Sequence, residues 1–242
     1  MLFYILLFII AFLYAAVGHG GASGYLALMA IYEVAPETMK PAALLLNLFV
    51  SLTSFIQYYR GRYFMPKVFF PLALASIPMA FLGGMVHVDA YFYKKILGLL
   101  LLIPALRFLF VNTNINEDEK KPPVLWLSLF IGAAIGYLSG LIGIGGGIIL
   151  SPILLLLKWT NQKQTAAISA LFIFVNSLSG LGGQLVKGIH FNAEIIIYVI
   201  IAFAGGLLGA YFGAIRFRQI IIQYLLSAVL LLACYKLLFT TA

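Results

Sequence analysis

Two glycine clusters interrupt apolar segments of this sequence, and both are suited to binding an anion through the backbone alone. A helix that ends inside an apolar run leaves backbone groups unpaired, and the helix that follows directs its positive dipole end at the break. Several N–H groups converging at a glycine turn form an anion pocket without any cation. We therefore predict that substrate contacts residues of both clusters: Gly18, His19, Gly20, Gly21, Ala22 and Ser23 in the first, and Gly143, Gly145, Gly146 and Gly147 in the second.

The alternative for both clusters is a structural role, in which glycine-rich kinks let neighbouring helices pack closely. Each cluster is followed by an unusually short apolar run, Tyr25 to Tyr32 and Ile148 to Leu157. Neither run reaches the roughly 17 to 25 residues that cross a bilayer as a helix. Interrupted helices of this kind occur in secondary transporters, where they bind substrate near the bilayer midplane. The repeated pattern favours the anion site.

Polar side chains in two longer apolar runs are candidates to line the same site. Asn47, Ser51 and Ser54 are spaced as one stripe on a helix. Asn176 and Ser179 lie 125 residues after Ser51 and Ser54. Polar groups in apolar helices usually face the bundle interior or a wet cavity, so these residues either line a permeation route or join helices by hydrogen bonds.

His19 is the titratable group inside a glycine cluster. An imidazole has an ordinary pKa near 6.5, so this side chain is suited to carrying a coupling proton or neutralising an anion. The matching position in the second cluster is Ile144, so only one of the two clusters carries the group.

Composition identifies the class of protein. Of 242 residues, 64% are hydrophobic and 9% are charged, too few charges for the surface of a soluble domain. The net charge of +8 comes from basic residues between apolar runs, which indicates membrane-flanking anchors rather than a nucleic-acid surface. The single Cys234 excludes an internal disulfide, and the sequence contains no phosphate loop, dinucleotide motif or intramembrane metal-ligand set. We predict no catalytic residues, no metal site, no cofactor and no enzyme activity.

The chain contains one unit twice. The two glycine clusters lie 125 residues apart, and the runs around them correspond. We predict an all-α polytopic membrane protein of two repeats with about five helical segments each, one of them a short half-helix. The first repeat is 1–111, a polar linker follows at 112–123, and the second repeat is 124–242.

Charge counting favours inverted repeats. If each repeat crosses the membrane an odd number of times, nine basic residues lie on one side and five on the other, whereas an even number gives seven on each side. The positive-inside rule then places both termini outside. The side with fewer basic residues carries Lys40, Lys94, Lys95, Lys187 and Lys236.

Small residues recur every four positions, at Gly132, Gly136 and Gly140 and again at Gly205, Gly209 and Gly213. Such stripes let helix backbones approach closely in a membrane. The first repeat has weaker counterparts, Ala11 with Ala15, and Ser76 with Ala80 and Gly84. These stripes indicate packing in a bundle rather than a functional role.

The motifs GHGGASGYL, Gly18 to Leu26, and GLIGIGGGIILSPILLL, Gly140 to Leu156, resemble those of the sulfite exporter TauE/SafE family of permeases. The likeness covers both halves of the chain. It departs at Ala22, where the family's first motif often has a third glycine. The resemblance implies a carrier of the bacterial inner membrane that moves small sulfur-containing anions such as sulfite, sulfonates or thiosulfate, often coupled to an ion gradient.

These features together predict a secondary transporter of small sulfur-containing anions in the cell inner membrane. Its expected partners are the anion, the lipid bilayer and a coupling proton or other ion, with oligomers possible and nucleic acid excluded. One alternative is an anion channel that uses the same helix-dipole site without alternating access. A membrane enzyme would need a catalytic constellation, and the sequence has none.

Overall fold

The chain is helical in the part that the structure describes, a computed structural model covering residues 1–16, 20–110, 120–189, 193–213 and 219–240. The first half forms α1 (Leu2–Ala16), α2 (Ala22–Ile31), α3 (Pro36–Arg60), α4 (Pro66–Met85) and α5 (Ala90–Phe110). The second half forms α6 (Leu125–Ile142), α7 (Gly147–Leu156), α8 (Gln162–Val186), α9 (Ala193–Gly213) and α10 (Gln219–Tyr235), followed by a π-helical turn, Lys236–Thr240. The all-α polytopic prediction is confirmed, while most of the predicted linker 112–123 lies outside the described residues.

Four of the described helices, α3, α4, α6 and α8, are long and apolar enough to cross a membrane. The short runs after the glycine clusters are α2 and α7, of 10 residues each. At about 1.5 Å per residue each spans roughly 15 Å, half of a bilayer's hydrocarbon core. The predicted half-helix in each repeat is therefore present.

Both short helices turn back toward the end from which the preceding helix began. The ring of Phe3, at the start of α1, lies 5.2 Å from that of Tyr32, directly after α2. In the second half, the Lys121 N–H, just before α6, donates to the Lys158 carbonyl just after α7 at 2.9 Å. The α1–α2 and α6–α7 pairs are therefore hairpins with a glycine cluster at each tip, so α2 and α7 are re-entrant.

The two halves pack together in matching pairs. Helix α6 packs on α4, and the corresponding helix of the first half, α1, packs on α9. In the same way, α8 packs on α4 and α3 packs on α9. Helices α3 and α8 contact each other, as do α5 and α10. Exchanging the two halves turns each of the first four contacts into another of them and leaves the last two unchanged. Such pairing is what an internal two-fold repeat requires, and the inverted orientation of the repeats stays a prediction.

The glycine stripes are the closest of these interfaces. A Cβ on Gly136 of α6 would lie 2.6 Å from the Cα of Ser76 on α4, and Gly132 and Gly140 lie equally tightly against the α4 backbone. A Cβ on Gly205 of α9 would lie 2.5 Å from the Phe8 carbonyl oxygen on α1, and Gly209 meets the backbone of Phe12. The described glycines of the two stripes, all but Gly213, therefore face a helix of the other half, as their predicted packing role requires.

We expect Gly136→Ala to destabilise the protein because its methyl group would collide with the α4 backbone, which cannot rotate away. Alanine in a helix otherwise gains roughly 0.5–1 kcal/mol over glycine, whereas overpacking costs typically 1–3 kcal/mol. The measurement is the melting temperature of the purified protein in detergent, which should fall.

The matched control is Gly182→Ala on α8, where the new Cβ would lie 3.7 Å from the Phe81 ring, an ordinary contact. That variant should melt at or above the wild-type temperature. Equal melting temperatures for the two variants would contradict the close packing of α6 on α4.

Candidate functional site

A glycine lies directly before each short helix, and no side chain caps either start. Gly21, before α2, has φ 83°, and Gly146, before α7, has φ 77°. Gly143, directly after α6, has φ 89°, and Gly145 has φ 78°. These left-handed conformations are the ones that glycine adopts without strain. Neither α2 nor α7 has a side-chain cap, so their first N–H groups depend on other partners.

Both clusters meet the same two residues. A Cβ on Gly20 would lie 2.8 Å from Ile173 Cγ2 and 3.3 Å from Asn47 Oδ1. A Cβ on Gly145 would lie 2.7 Å from Asn47 Nδ2 and 2.9 Å from Ile173 Cγ2. Asn47 lies near the middle of α3 and Ile173 near the middle of α8, both helices of 25 residues. The two breaks therefore converge halfway along the two longest described helices.

Asn47 is fully buried and is the polar group between the breaks. Its Nδ2 donates to Ser177 Oγ at 3.2 Å and to the Ile144 carbonyl at 3.5 Å. Its Oδ1 has no hydrogen-bond partner among the described residues. An unpaired buried amide oxygen costs roughly 1–3 kcal/mol, so Asn47 is incompletely satisfied where the two helix starts meet.

The other predicted side chains divide into two groups. Ser51 Oγ donates to its own helix at the Asn47 carbonyl, 2.6 Å away, and the buried Ser54 hydroxyl has no partner among the described residues. Asn176 accepts from Ser76 Oγ at 2.8 Å, and Ser179 Oγ donates to the Ile77 carbonyl at 2.5 Å. Asn176 and Ser179 therefore join α8 to α4 by hydrogen bonds, which is the alternative to lining a permeation route.

The first cluster is described only in part. Ala22 and Ser23 are buried, and the Ser23 hydroxyl pairs with Tyr14 across the α1–α2 hairpin at 2.7 Å. Gly18 and His19 lie outside the described residues, so the proton-coupling role of His19 stays a prediction. In the second cluster, a Cβ on Gly147 would meet the Ile173 side chain, so this glycine faces the same region.

Little space is left between the breaks in this conformation. A Cβ added to Gly20 or to Gly145 would lie within 3 Å of existing side-chain atoms. An oxyanion is larger than a methyl group. Binding between the breaks therefore requires the hairpin tips to move away from α3 and α8.

A cavity of about 400 Å³ opens beside the second break, and the sequence analysis missed it. Its wall combines the start of α3, the end of α4, the end of α8 and Leu141 of α6; its polar and charged side chains are Glu37, Thr38, Lys40, His87, Tyr93, Gln184 and Lys187. None of the described glycines of the two breaks lines it. Charge counting had assigned Lys40 and Lys187 to the membrane flanks. Sequence spacing could have pointed to Lys40, because this residue lies seven positions before Asn47 and therefore on nearly the same helix face.

A lysine near the carboxyl end of the chain ties the first hairpin to α10. Lys236 Nζ donates to the Ile31 carbonyl at the end of α2, at 2.7 Å, and to Glu33 Oε1 at 2.9 Å. This hydrogen bond lowers the pKa of the exposed Glu33 carboxyl below its ordinary value. The base of the α1–α2 hairpin is therefore anchored, while its glycine tip lies between α3 and α8.

We expect Gly145→Ala to destabilise the protein for two reasons, its positive φ and the contact of the new methyl group with Asn47. Gly188→Ala isolates the first reason, because Gly188 has φ 84° and a Cβ there would meet nothing within 4 Å. The melting temperature of Gly145→Ala should therefore fall further than that of Gly188→Ala. Equal losses would show that the second break is not packed against Asn47.

Comparisons with known proteins agree with the geometry. Residues 3–237 match the family described as "Sulfite exporter TauE/SafE". A relative from Sinorhizobium fredii, "Probable membrane transporter protein y4hK", is 35% identical over 96% of this chain and 95% of its own length. "Probable membrane transporter protein YunE" of Bacillus subtilis is 24% identical over 84% of this chain and 81% of its own. No solved structure gives a significant match. The chain is a membrane transporter and belongs to the sulfite exporter TauE/SafE family.

Proposed function

We propose that this chain is a secondary transporter of small sulfur-containing anions, of the sulfite, sulfonate or thiosulfate class, in the cytoplasmic membrane. The observation that carries the proposal is the convergence of two uncapped helix starts on Asn47. N–H groups at the starts of α2 and α7 supply positive potential, and no buried carboxylate needs to be neutralised among the described residues there. Membership of a family described as sulfite exporters supports the sulfur oxyanion class.

Asn47 would orient the anion. A half-turn of its side-chain amide gives up the 3.5 Å hydrogen bond to the Ile144 carbonyl but keeps one to Ser177, whose hydroxyl can donate as well as accept. That turn directs Nδ2 instead of Oδ1 toward the space beside Gly20, where it can donate to an anion oxygen. Asn47 therefore provides a hydrogen-bond donor in the same region as the two helix starts.

Access to this site would alternate by movement of the hairpins against α3 and α8. The site is closed in this conformation, as expected for one state of a carrier that opens to each side in turn. The hairpins enter from opposite ends of the bundle if the repeats are inverted. Separation of one tip from α3 and α8 would then open the site to one side only.

The orientation follows the charge distribution. Among the described residues, seven basic residues lie at the end of the bundle that carries the α3–α4 and α7–α8 connections, and five lie at the other end: Lys40, Lys94, Lys95, Lys187 and Lys236. By the positive-inside rule we propose that the first end lies in the cytoplasm and that both termini lie outside. A reporter fused to the carboxyl terminus and probed from the periplasm tests this orientation.

The function is tested by uptake of radiolabelled sulfite or thiosulfate into proteoliposomes under an imposed pH or sodium gradient. A carrier should accumulate the anion above its external concentration and should show faster uptake when the vesicles are preloaded with unlabelled anion. Uptake that only equilibrates, without this stimulation, would identify the channel alternative.

Asn47→Ala should reduce that uptake about tenfold or more, because truncation removes the hydrogen-bond donor at the site, worth roughly 1.5–3 kcal/mol to a charged ligand. Thr53→Ala is the matched control on the same helix, since the Thr53 hydroxyl bonds only its own helix at the Val50 carbonyl. That variant should retain wild-type uptake. Unchanged uptake by a folded Asn47→Ala protein would contradict the proposed site.

A further inference from the structure

The cavity at the start of α3 has an excess of positive charge on its wall. The partly buried Lys40 side chain reaches only the Gly84 carbonyl, at a marginal 3.5 Å, and makes no ion pair with a described residue. Lys187 lines the same cavity, where its Nζ lies 3.1 Å from His87 Nδ1. Glu37 lines the exposed edge of the same cavity without pairing with either lysine. Two like charges around one cavity are stabilised when an anion lies between them.

A hydrogen-bond donor on the same wall also lacks a partner. Gln184 lines the cavity with 2% of its surface exposed, and its Nε2 has no partner among the described residues. Burying an unpaired amide donor is unfavourable, and an acceptor atom in the cavity would relieve that cost. Gln184 lies on the last turn of α8, one turn before Lys187, so the amide and the ammonium group share a helix face.

Most of the remaining wall is apolar. Val86, Val88, Leu141 and Ile189 line it together with Pro36 and Pro41. A volume of about 400 Å³ lies in the range of sites for organic ligands, which combine an apolar lining with a few polar groups. A bare inorganic oxyanion would leave this apolar surface uncovered.

Lys40 connects the cavity to the second break. A Cβ on Gly143 would lie 3.0 Å from the Lys40 carbonyl oxygen and 3.3 Å from Lys40 Cγ, so the lysine stem lies directly on the glycine that ends α6. The position matching Lys40 in the second repeat is Thr165, whose hydroxyl pairs with that of Thr160 at 2.7 Å. The lysine is therefore present at only one end of the bundle.

We propose that this cavity is a second anion site, separate from the breaks, which binds an amphipathic organic anion. Lys40, Lys187 and the Gln184 amide hold its charged head, and the apolar wall packs against its short chain. A carboxylate or a sulfonate head satisfies this chemistry, since lysine binds anions as a point charge. The inference relies on the proposed function only for the expectation that the chain handles anions.

The test is calorimetric titration of the full chain in nanodiscs of zwitterionic lipid, which present no net anionic headgroup. The probes are sulfite, a series from ethanesulfonate to butanesulfonate, the matching carboxylates, and 1-butanol as an uncharged control. The affinity should rise with each methylene by up to about fourfold, the factor for complete burial of a CH₂. In the part of the binding that Lys40→Gln abolishes, sulfite and 1-butanol should bind at least tenfold more weakly than butanesulfonate.

Lys40→Gln should weaken butanesulfonate binding about tenfold or more, and Lys187→Gln, at an exposed position that tolerates substitution, should weaken it in the same direction. Gln184→Met keeps the side-chain length, removes the amide and should also weaken binding. Lys67→Gln is the matched control, with the same loss of charge at the start of α4, and should bind as the wild type does.

Lys40-dependent binding that is equally tight for sulfite and butanesulfonate, or butanesulfonate affinity unaffected by Lys40→Gln and Lys187→Gln, would overturn the cavity site. Concentrative sulfite uptake by the wild type distinguishes the two proposals. If uptake persists while the lysine variants bind normally, only the cavity site is wrong. If uptake is absent while binding depends on Lys40, the cavity site stands and the proposed function is wrong.

Discussion

The architecture depends on one constraint: hydrocarbon offers no hydrogen bonds, so a chain that ends a helix inside the membrane must enclose the ends in protein. This chain does so twice, at the tips of the α1–α2 and α6–α7 hairpins. Both tips lie against the middles of α3 and α8, where Asn47 and Ile173 contact them. Glycine at the breaks permits the left-handed turns and leaves the backbone uncovered. Under the proposed function, this uncovered backbone is also the part of the chain that binds the anion.

Close packing between the two halves determines which parts can move together. The glycine stripe of α6 lies on α4, and that of α9 lies on α1, so the first helix of each half is packed against the fourth helix of the other. These contacts are between backbones, which do not rearrange as side chains do. A hairpin tip that leaves α3 and α8 would therefore carry its partner helix with it or bend at its own glycines.

Sequence alone predicted the helical class, the five segments per half and the short helices after the glycines, because apolar run length and glycine spacing are local properties. The direction of α2 and α7 was not accessible, since length shows that a segment is too short to cross but not which way it turns. The cavity was missed because its lysines come from α3 and from the end of α8, which only folding brings together. Periodicity placed Asn176 on a polar stripe without revealing that Ser76 of α4 is its partner.

The difference between Lys40 and Thr165 bears on how a two-fold carrier becomes directional. Identical halves would give the two ends of the bundle the same affinity for the anion. An organic anion bound beside Lys40, as proposed for the cavity, would by linkage stabilise whichever state exposes that end of the bundle. This preference alters the concentrations at which each direction of transport saturates. It cannot drive net transport, because affinity differences cancel around a closed cycle, and the direction must come from the gradients of the anion and the coupling ion.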